Sequence, residues 1–504
     1  MSTAPESPRP WLAPPAPTSP SRIVPRPAKM LNAERLADLK DEYDLIVIGS
    51  GLAGLTAANR IARLGRSVLV LEQHYNFGGL ATWFKRPRGH VFDISLHGFP
   101  AGMIKTCRKY WSREIADAIV RLDSIRFDNP QFSLETTFDR EDFTRILTEY
   151  FEIDPVRIQA FFDSAREMSH VGDATMTTRE LFEAHFPGRS DVHRLLMEPI
   201  AYANGSTLDD PALTYGIVFS NFMSKGVFTF HGGTDWLIKR MKAELQANGV
   251  DIRNYAQVES VLVDGRPGEG RVRGVRVNGV DVKSSAVVSN ANIWTTIFKL
   301  CGGDVFSDDY RERASAVRMN SASSQVYIGM EKGAELPKIG ELFFTSTHPT
   351  FDSDALTALD VTSRTFSFYH PEMRDGDARA AVVASINSRA EDWRDMDEAT
   401  YHDTKETYAR DAIRALGDYI PGFERRIEHV EVATPRTFEF FTQHHEATSF
   451  GTKFEGLGVS RDLPQQVRGL FHAGSVGIIM SGWLGAANYG VIVANDVDRL
   501  LHER

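Results

Sequence analysis

Apolar residues along the chain recur with two periods, and the two alternate. Leu45, Ile46, Val47 and Ile48 are consecutive, as a strand buried on both faces of a parallel sheet requires. Behind them Leu52, Leu55, Ala58, Ile61 and Ala62 gather on one side of an alanine-rich helix that Gly65 stops. A second buried strand follows at Val68–Leu71. The same order returns further on, where Leu237, Met241 and Leu245 share a helix face ahead of an extended stretch from Val258 to Val263. The sequence GVRVNGVDVKSSAVVSNAN then predicts a hairpin turning at Asn278–Gly279 and ending in a buried strand, Ala286 to Ser289.

Two regions between these patterns read differently. Residues 101–225 have helical texture: a Thr177–Glu180 capping box opens TTRELFEAHF, and DPVRIQAFFDSAREM is amphipathic. Residues 301–429 mix strands (SSQVYIGM, AAVVASIN) with a polar helix from Asp397 to Leu416. Near the end, a strand from Leu470 to Ala473 leads into an uncharged run reaching Asn495. About twenty apolar residues suffice to span a bilayer. Five glycines (474, 477, 482, 485 and 490) with Ser475, Ser481 and Asn488 make a poor spanning helix, however. They suit a loop entering a helix where backbone must approach another group closely. The first thirty residues, rich in Pro and Ser, are expected to be a disordered tail, followed by a short polar helix in NAERLADLKDEY.

Composition narrows the classes. A chain of 504 residues exceeds one simple core, and 42% hydrophobic with 25% charged residues is an ordinary globular balance. The net charge of −10 argues against a nucleic-acid partner. Two cysteines, Cys107 and Cys301, allow neither a disulfide framework nor a zinc cage, and they fit a reducing, cytoplasmic compartment. The adjacent histidines of QHHEAT, 443–448, would point to opposite faces of a strand, so that stretch reads as a solvated loop and no metal is expected.

The chemistry concentrates after the first strand. Gly49, Gly51 and Gly54 form G-x-G-x-x-G: a tight turn, a close approach to a pyrophosphate, and close packing of helix on strand. The helix N-terminus that follows, at Leu52 and Ala53, offers orphan N–H groups to the phosphates. Glu72, at the tip of the second strand, is placed to accept from both ribose hydroxyls. A double glycine, Gly78–Gly79, comes six residues later, then an aromatic and basic stretch and FDISLHG.

This order resembles the two-dinucleotide-binding FAD proteins. The pattern LEQH…GG…FDISLHG, with VVSNA at 287–291 and the glycine-rich C-terminal stretch, is similar to the phytoene desaturase, carotenoid isomerase and retinol saturase family. The resemblance covers residues 43–100, 226–292 and 430–495. It implies an α/β protein: a Rossmann-like FAD-binding domain of the two-dinucleotide-binding type, assembled from three segments, plus an inserted α+β substrate domain. The implied boundaries are 1–40 for the tail and short helix, 41–100, 226–300 and 456–504 for the FAD-binding domain, and 101–225 (helical) and 301–455 for the substrate domain.

Carried over, the cofactor residues are Gly49, Gly51, Leu52, Ala53, Gly54, Glu72, Gln73, Gly78, Gly79, Leu80, Ala81, Val258, Gly474, Ser475, Gly482, Trp483 and Leu484, with His97 as the catalytic candidate beside the flavin ring. Three positions depart from the family: Ser475 replaces an acid, Met480 a glycine, and Tyr489 a small residue. The implied activity is FAD-dependent desaturation, saturation or isomerisation of a lipophilic polyene. Without a second dinucleotide fingerprint the expected electron acceptor is a quinone or oxygen. The basic and apolar segment Met103 to Leu122 is a candidate for peripheral contact with a membrane surface, against a solvated helix beside the cofactor domain. Rival readings are an amine oxidase-like or protoporphyrinogen oxidase-like flavoenzyme, and a prenyl-lipid carrier on the same fold.

Overall fold

The structure is a computed structural model and describes residues 36–168, 175–376 and 378–503. The proline-rich tail and the first part of the short helix expected after it lie outside the described residues. From residue 36 that expected helix is instead a turn, closed by the Leu39 N–H on the Leu36 carbonyl at 3.2 Å.

The first lobe is built on an eight-stranded sheet. Strand Glu42–Ile48 lies parallel between Val68–Leu71 and Val280–Ser289, with Leu45, Ile46 and Val47 fully buried. Its apolar run is explained by helices on both faces. Strand Asp251–Arg253 extends the sheet on one side, and Leu470–His472 pairs with the end of Val280–Ser289 on the other. The Asn278–Gly279 turn, with φ of 45° and 81°, returns the chain from Gly270–Val277 as expected. Neighbours on the two sides of Glu42–Ile48 are thus reached by connections running in opposite directions. In such sheets a crevice opens beyond the carboxyl ends of the strands, and ligands sit there.

The C-terminal helix Gly482–His502 packs along helix Leu52–Ala62. A Cβ at Gly490 would lie 2.3 Å from the Ala53 carbonyl oxygen, so only glycine allows this approach. Among the described residues no helix is long and apolar enough to cross a membrane. The uncharged run is therefore a strand end, a loop and a helix packed into the first lobe.

The second lobe rests on a seven-stranded sheet ordered Ile427–Ala433, Ala322–Met330, Ala381–Ser388, Ser363–Tyr369, Leu342–Ser346, Ile125–Asn129 and Phe132–Thr136. Alternation divides its two faces. Val326, Ile328, Val382, Ala384 and Ile386 pack in one core with helix Glu398–Gly417, and Gln325, Tyr327, Ser385 and Asn387 face the first lobe.

Two expectations change. Residues 101–225 are not only helical: the hairpin Ile125–Thr136 joins the seven-stranded sheet, its turn held by Asn129 Oδ1 accepting from the N–H groups of Gln131 and Phe132. The segment from Met103 turns its apolar side inward, as the alternative of a helix beside the cofactor domain requires. Met103, Cys107, Trp111 and Ile115 are buried in the first-lobe core, leaving Lys105, Arg108 and Lys109 exposed. This assigns residues 101–121 to the first lobe, with Ile119–Arg121 pairing to Val227–Phe230.

One buried ion cluster ties the lobes together. Arg374, from the second lobe, pairs with Asp93 and Asp235 of the first, and Asp93 also accepts from the Thr234 N–H at 2.7 Å. Asp93 is 1% exposed, so removing its cation leaves a buried charge uncompensated. Arg374→Ala is expected to lower unfolding free energy by about 3–5 kcal/mol, read as a reduced urea midpoint. A change under about 0.5 kcal/mol, the level of a surface substitution, would show that the cluster does not hold the lobes.

Candidate cofactor and substrate site

A cavity of about 1840 Å³ lies over the carboxyl edge of the first sheet and runs beneath the second. Single-ligand pockets are usually about 300–1,000 Å³, so this one has room for a dinucleotide and a second molecule. Of the cofactor residues carried over and His97, all but Gly54 and Gly474 line it. Those two act from behind. A Cβ at Gly54 would lie 2.8 Å from the Gly49 carbonyl oxygen, and one at Gly474 would lie 2.4 Å from that of Ala291.

One end is made for an anion. Helix Leu52–Ala62 starts at Gly51 with no capping side chain, so the N–H groups of Leu52, Ala53 and Gly54 have no acceptor within the helix. They are the positive end of its dipole. The double glycine meets this turn directly: Gly51 and Gly78 form a parallel bridge, and a Cβ at Gly79 would lie 2.9 Å from the Gly51 Cα. Ser50, which the sequence pattern leaves as an unspecified position, is the fastener. Its hydroxyl donates to Glu72 at 2.6 Å and accepts from the Gly78 N–H at 3.1 Å. Glu72 also accepts from the N–H groups of Ser50 at 2.9 Å and His74 at 2.7 Å. A carboxylate has about four lone-pair sites; three are taken by these bonds, which leaves one for a ribose hydroxyl. Gln73, Tyr255 and Val258 border the same end. Uncapped N–H groups, a backbone cradle open to no side chain and a positioned carboxylate together fit a dinucleotide.

The middle of the cavity is neutral. His97 is half-buried in the cavity wall, and desolvation holds its imidazole down at about 4 against a small opposing pull from Asp93. Its Nδ1 pairs with Ser367 Oγ at 2.7 Å, and its Nε2 faces Ser385 Oγ at 3.2 Å and the Gln325 amide at 3.3 Å. Trp483 donates from its indole to the Ser95 carbonyl at 3.1 Å. The C-terminal helix also begins uncapped, because the Ser481 hydroxyl donates to the Phe450 carbonyl instead.

The three departures separate here. Ser475 and Met480 line the cavity; Tyr489 does not. The Tyr489 hydroxyl bonds Ser460 Oγ at 2.5 Å, which bonds His472 Nδ1 at 2.7 Å, while His472 Nε2 reaches the Ala291 carbonyl at 2.9 Å. This buried chain fixes Nε2 as the protonated nitrogen and braces the last strand against the Ala291 loop. The QHHEAT stretch is not a solvated loop. Thr295 Oγ1 donates to the Gln443 carbonyl at 2.9 Å, His444 bonds the Thr448 carbonyl at 2.8 Å, and His445 stacks on Trp294 at 3.9 Å. Gln443 and His444 become part of the wall.

The far arm is apolar and aromatic, bounded by Ile125, Phe138, Ile200, Tyr202, Phe222 and Phe344. Tyr202 stacks on Phe344 at 5.6 Å, and its hydroxyl donates to Glu198 at 2.9 Å. Burial raises the Glu198 carboxyl, and the buried Arg194, at 3.2 Å, opposes that rise. Sequence periodicity gave no sign of this arm, because it is assembled from two insertions.

Comparison with known proteins agrees with this geometry. The profile of the NAD(P)-binding Rossmann-like domain family matches residues 47–112. The chain is 24% identical to the chloroplastic prolycopene isomerase of Arabidopsis thaliana, over 90% of this chain and 82% of the relative. It is 23% identical to the inactive all-trans-retinol 13,14-reductase of Danio rerio, over 92% and 87%. Among solved structures, an oxidoreductase from Methanosarcina mazei aligns with a TM-score of 0.63 at 17% identity, covering 91% of this chain and 99% of that one. Putrescine oxidase bound to putrescine aligns with a TM-score of 0.62 at 15% identity, with the same coverage. The α/β fold with its Rossmann-like domain and the family resemblance read from the sequence both hold.

His97 and His472 are both held by burial at about 4, against an ordinary 6.5. The unfolded chain therefore binds more protons than the folded one between those values, so stability is level above pH 6.5 and falls as pH drops toward 4. Each imidazole contributes about 3 kcal/mol across the whole window. Urea titrations at pH 7 and pH 4 are expected to show that loss, and His97→Gln to shrink it by about 3 kcal/mol. An unchanged loss in the variant would mean that His97 is not buried as a neutral group.

Proposed function

We propose that the protein is an FAD-dependent oxidoreductase that desaturates, saturates or isomerises the C=C bonds of a long apolar polyene. The observation that carries this reading is one continuous cavity joining the dinucleotide-shaped edge to an aromatic, uncharged arm. The relatives named for prolycopene and retinol support the polyene class. Bound FAD supplies a hydride acceptor or donor at its N5.

The chain's own residues bind, orient and exclude water. The N–H groups of Leu52 and Ala53 hold the pyrophosphate, and Glu72 the adenosine ribose. Trp483 and Leu484, at the uncapped start of the C-terminal helix, stand at the ring side. The aromatic arm aligns an extended chain by contact area. His97 is neutral at physiological pH with both nitrogens engaged, so it positions the sheet and is not a proton donor. We assign the protein to a reducing, cytoplasmic setting from its two unpaired cysteines, and the electron acceptor to the quinones or oxygen.

The amine oxidase reading draws on the likeness to putrescine oxidase, yet among the described residues the acids lining the cavity are Glu72, Glu398, Glu406 and Glu431, none of them among the aromatic residues that bound the arm. A carrier on this fold would have no use for the Glu72 site.

Two outcomes test the proposal. Glu72→Ala is expected to weaken FAD binding about 10- to 100-fold, the worth of one hydrogen bond to a charged group, by fluorescence titration of apoprotein. Under anaerobic conditions, flavin reduced with dithionite should be reoxidised by an added polyene or quinone. Protein that never takes up FAD, or that produces peroxide from amines alone, would end this reading.

A further inference from the structure

The aromatic arm has a definite end, and a residue with a strained backbone stands at it. Four residues lie in register across neighbouring strands of the second sheet: Gln325 beside Ser385, Ser385 beside Thr365, and Thr365 beside Phe344. All four line the cavity. They span three strand spacings, about 14 Å. The next partner in the row is Phe127, whose ring stacks on that of Phe344 at 4.9 Å. Phe127 is fully buried and does not line the cavity. Phe138 does, and its ring lies 6.5 Å from that of Phe127, at an interplanar angle of 19°. Phe222, also in the wall, meets Phe138 edge to face at 6.0 Å, and Phe143 backs it at 5.0 Å.

Phe138 is held there against its own backbone preference. Its φ is 56°, in the left-handed region, where glycine sits freely and a bulky side chain is strained. Such a residue persists only where its surroundings over-determine it. Here they do. The Phe138 N–H donates to Thr136 Oγ1 at 2.9 Å, and the Thr137 N–H to Asp142 at 3.0 Å. Asp139 caps helix Arg140–Glu149 by accepting from the Asp142 N–H at 3.0 Å. Arg121 donates to the Thr137 carbonyl at 3.2 Å and to Asp139 at 2.6 Å. Glycine would fit this turn without strain. The chain instead carries a ring, and that ring is the last surface before a core packed with Phe127, Phe132 and Phe143.

Resting on the polyene reading above, we propose that Phe138 is the end stop of the arm. It fixes how far an extended apolar chain slides in, and therefore which C=C bond stands at the reacting position. Phe138 is a specificity-determining residue: it meets the end of the chain and leaves the reacting bond to other groups.

The test uses FAD-loaded protein and the all-trans diphenylpolyenes from diphenylbutadiene to diphenyldodecahexaene, rigid hydrocarbons that differ only in length. Affinity is read from the quenching of tryptophan fluorescence, with the visible flavin spectrum as control. Each added CH=CH that is buried should strengthen binding about tenfold, until the chain meets the stop and the affinity levels off. In Phe138→Gly, whose backbone suits the turn, the levelling should come at least one member later. In Phe138→Leu the longest member should gain at least about threefold over wild type, with the shortest unchanged. If neither variant gains with the longer members, or if the wild type never levels off, this inference falls while the polyene reading stands. If no member binds to protein that holds FAD, both fall. A flavin spectrum altered in Phe138→Gly would put the side chain against the cofactor and overturn the inference as well. Should Phe138→Gly fail to fold, Phe138→Leu decides.

Discussion

Everything in this molecule depends on three stretches of backbone meeting where no side chain fits. A Cβ at Gly54 would lie 2.8 Å from the Gly49 carbonyl oxygen, one at Gly79 would lie 2.9 Å from the Gly51 Cα, and one at Gly490 would lie 2.3 Å from the Ala53 carbonyl oxygen. These glycines come from distant parts of the sequence, yet they close around one helix N-terminus. The convergence leaves N–H groups facing the cavity in place of methyl groups. It also explains why residues 473–495 are uncharged without being a membrane anchor: they are packed between that helix and the cavity.

The second lobe answers to a different constraint, the two-residue period of its sheet. One face buries Val326, Ile328, Val382 and Ile386 against a helix, and the other presents Gln325, Ser385 and Asn387 to the cavity. Arg374 crosses between the lobes to Asp93 and Asp235, so the polar face is held at a fixed distance from the glycine edge. The glycine edge and the polar sheet face therefore border one cavity.

The first lobe was largely legible in the sequence, because its signals are local: an apolar tetrad, three glycines, a helix and Glu72 within thirty residues. The Asn278–Gly279 turn and the Thr177–Glu180 box were legible for the same reason. What could not be read depended on contacts between distant segments. The hairpin Ile125–Thr136 is too short to stand out until the sheet it joins is known. The apolar residues from Met103 to Ile115 suit a bilayer or a core equally well. Ser50 was invisible as the middle residue of G-x-G, and its role emerges only with Glu72 and Gly78 around it. Tyr489 looked like an intrusion near the ring, but its hydroxyl completes a chain through Ser460 to His472 behind the wall.

The most direct test of this account is a crystal structure with FAD and a polyene bound together. The expected density has the adenosine ribose on Glu72, the pyrophosphate at Leu52 and Ala53, the ring between Trp483 and the sheet residues Gln325 and Ser385, and the polyene along Tyr202 and Phe344. A dinucleotide in the opposite direction, or a polyene bound outside this cavity, would contradict it.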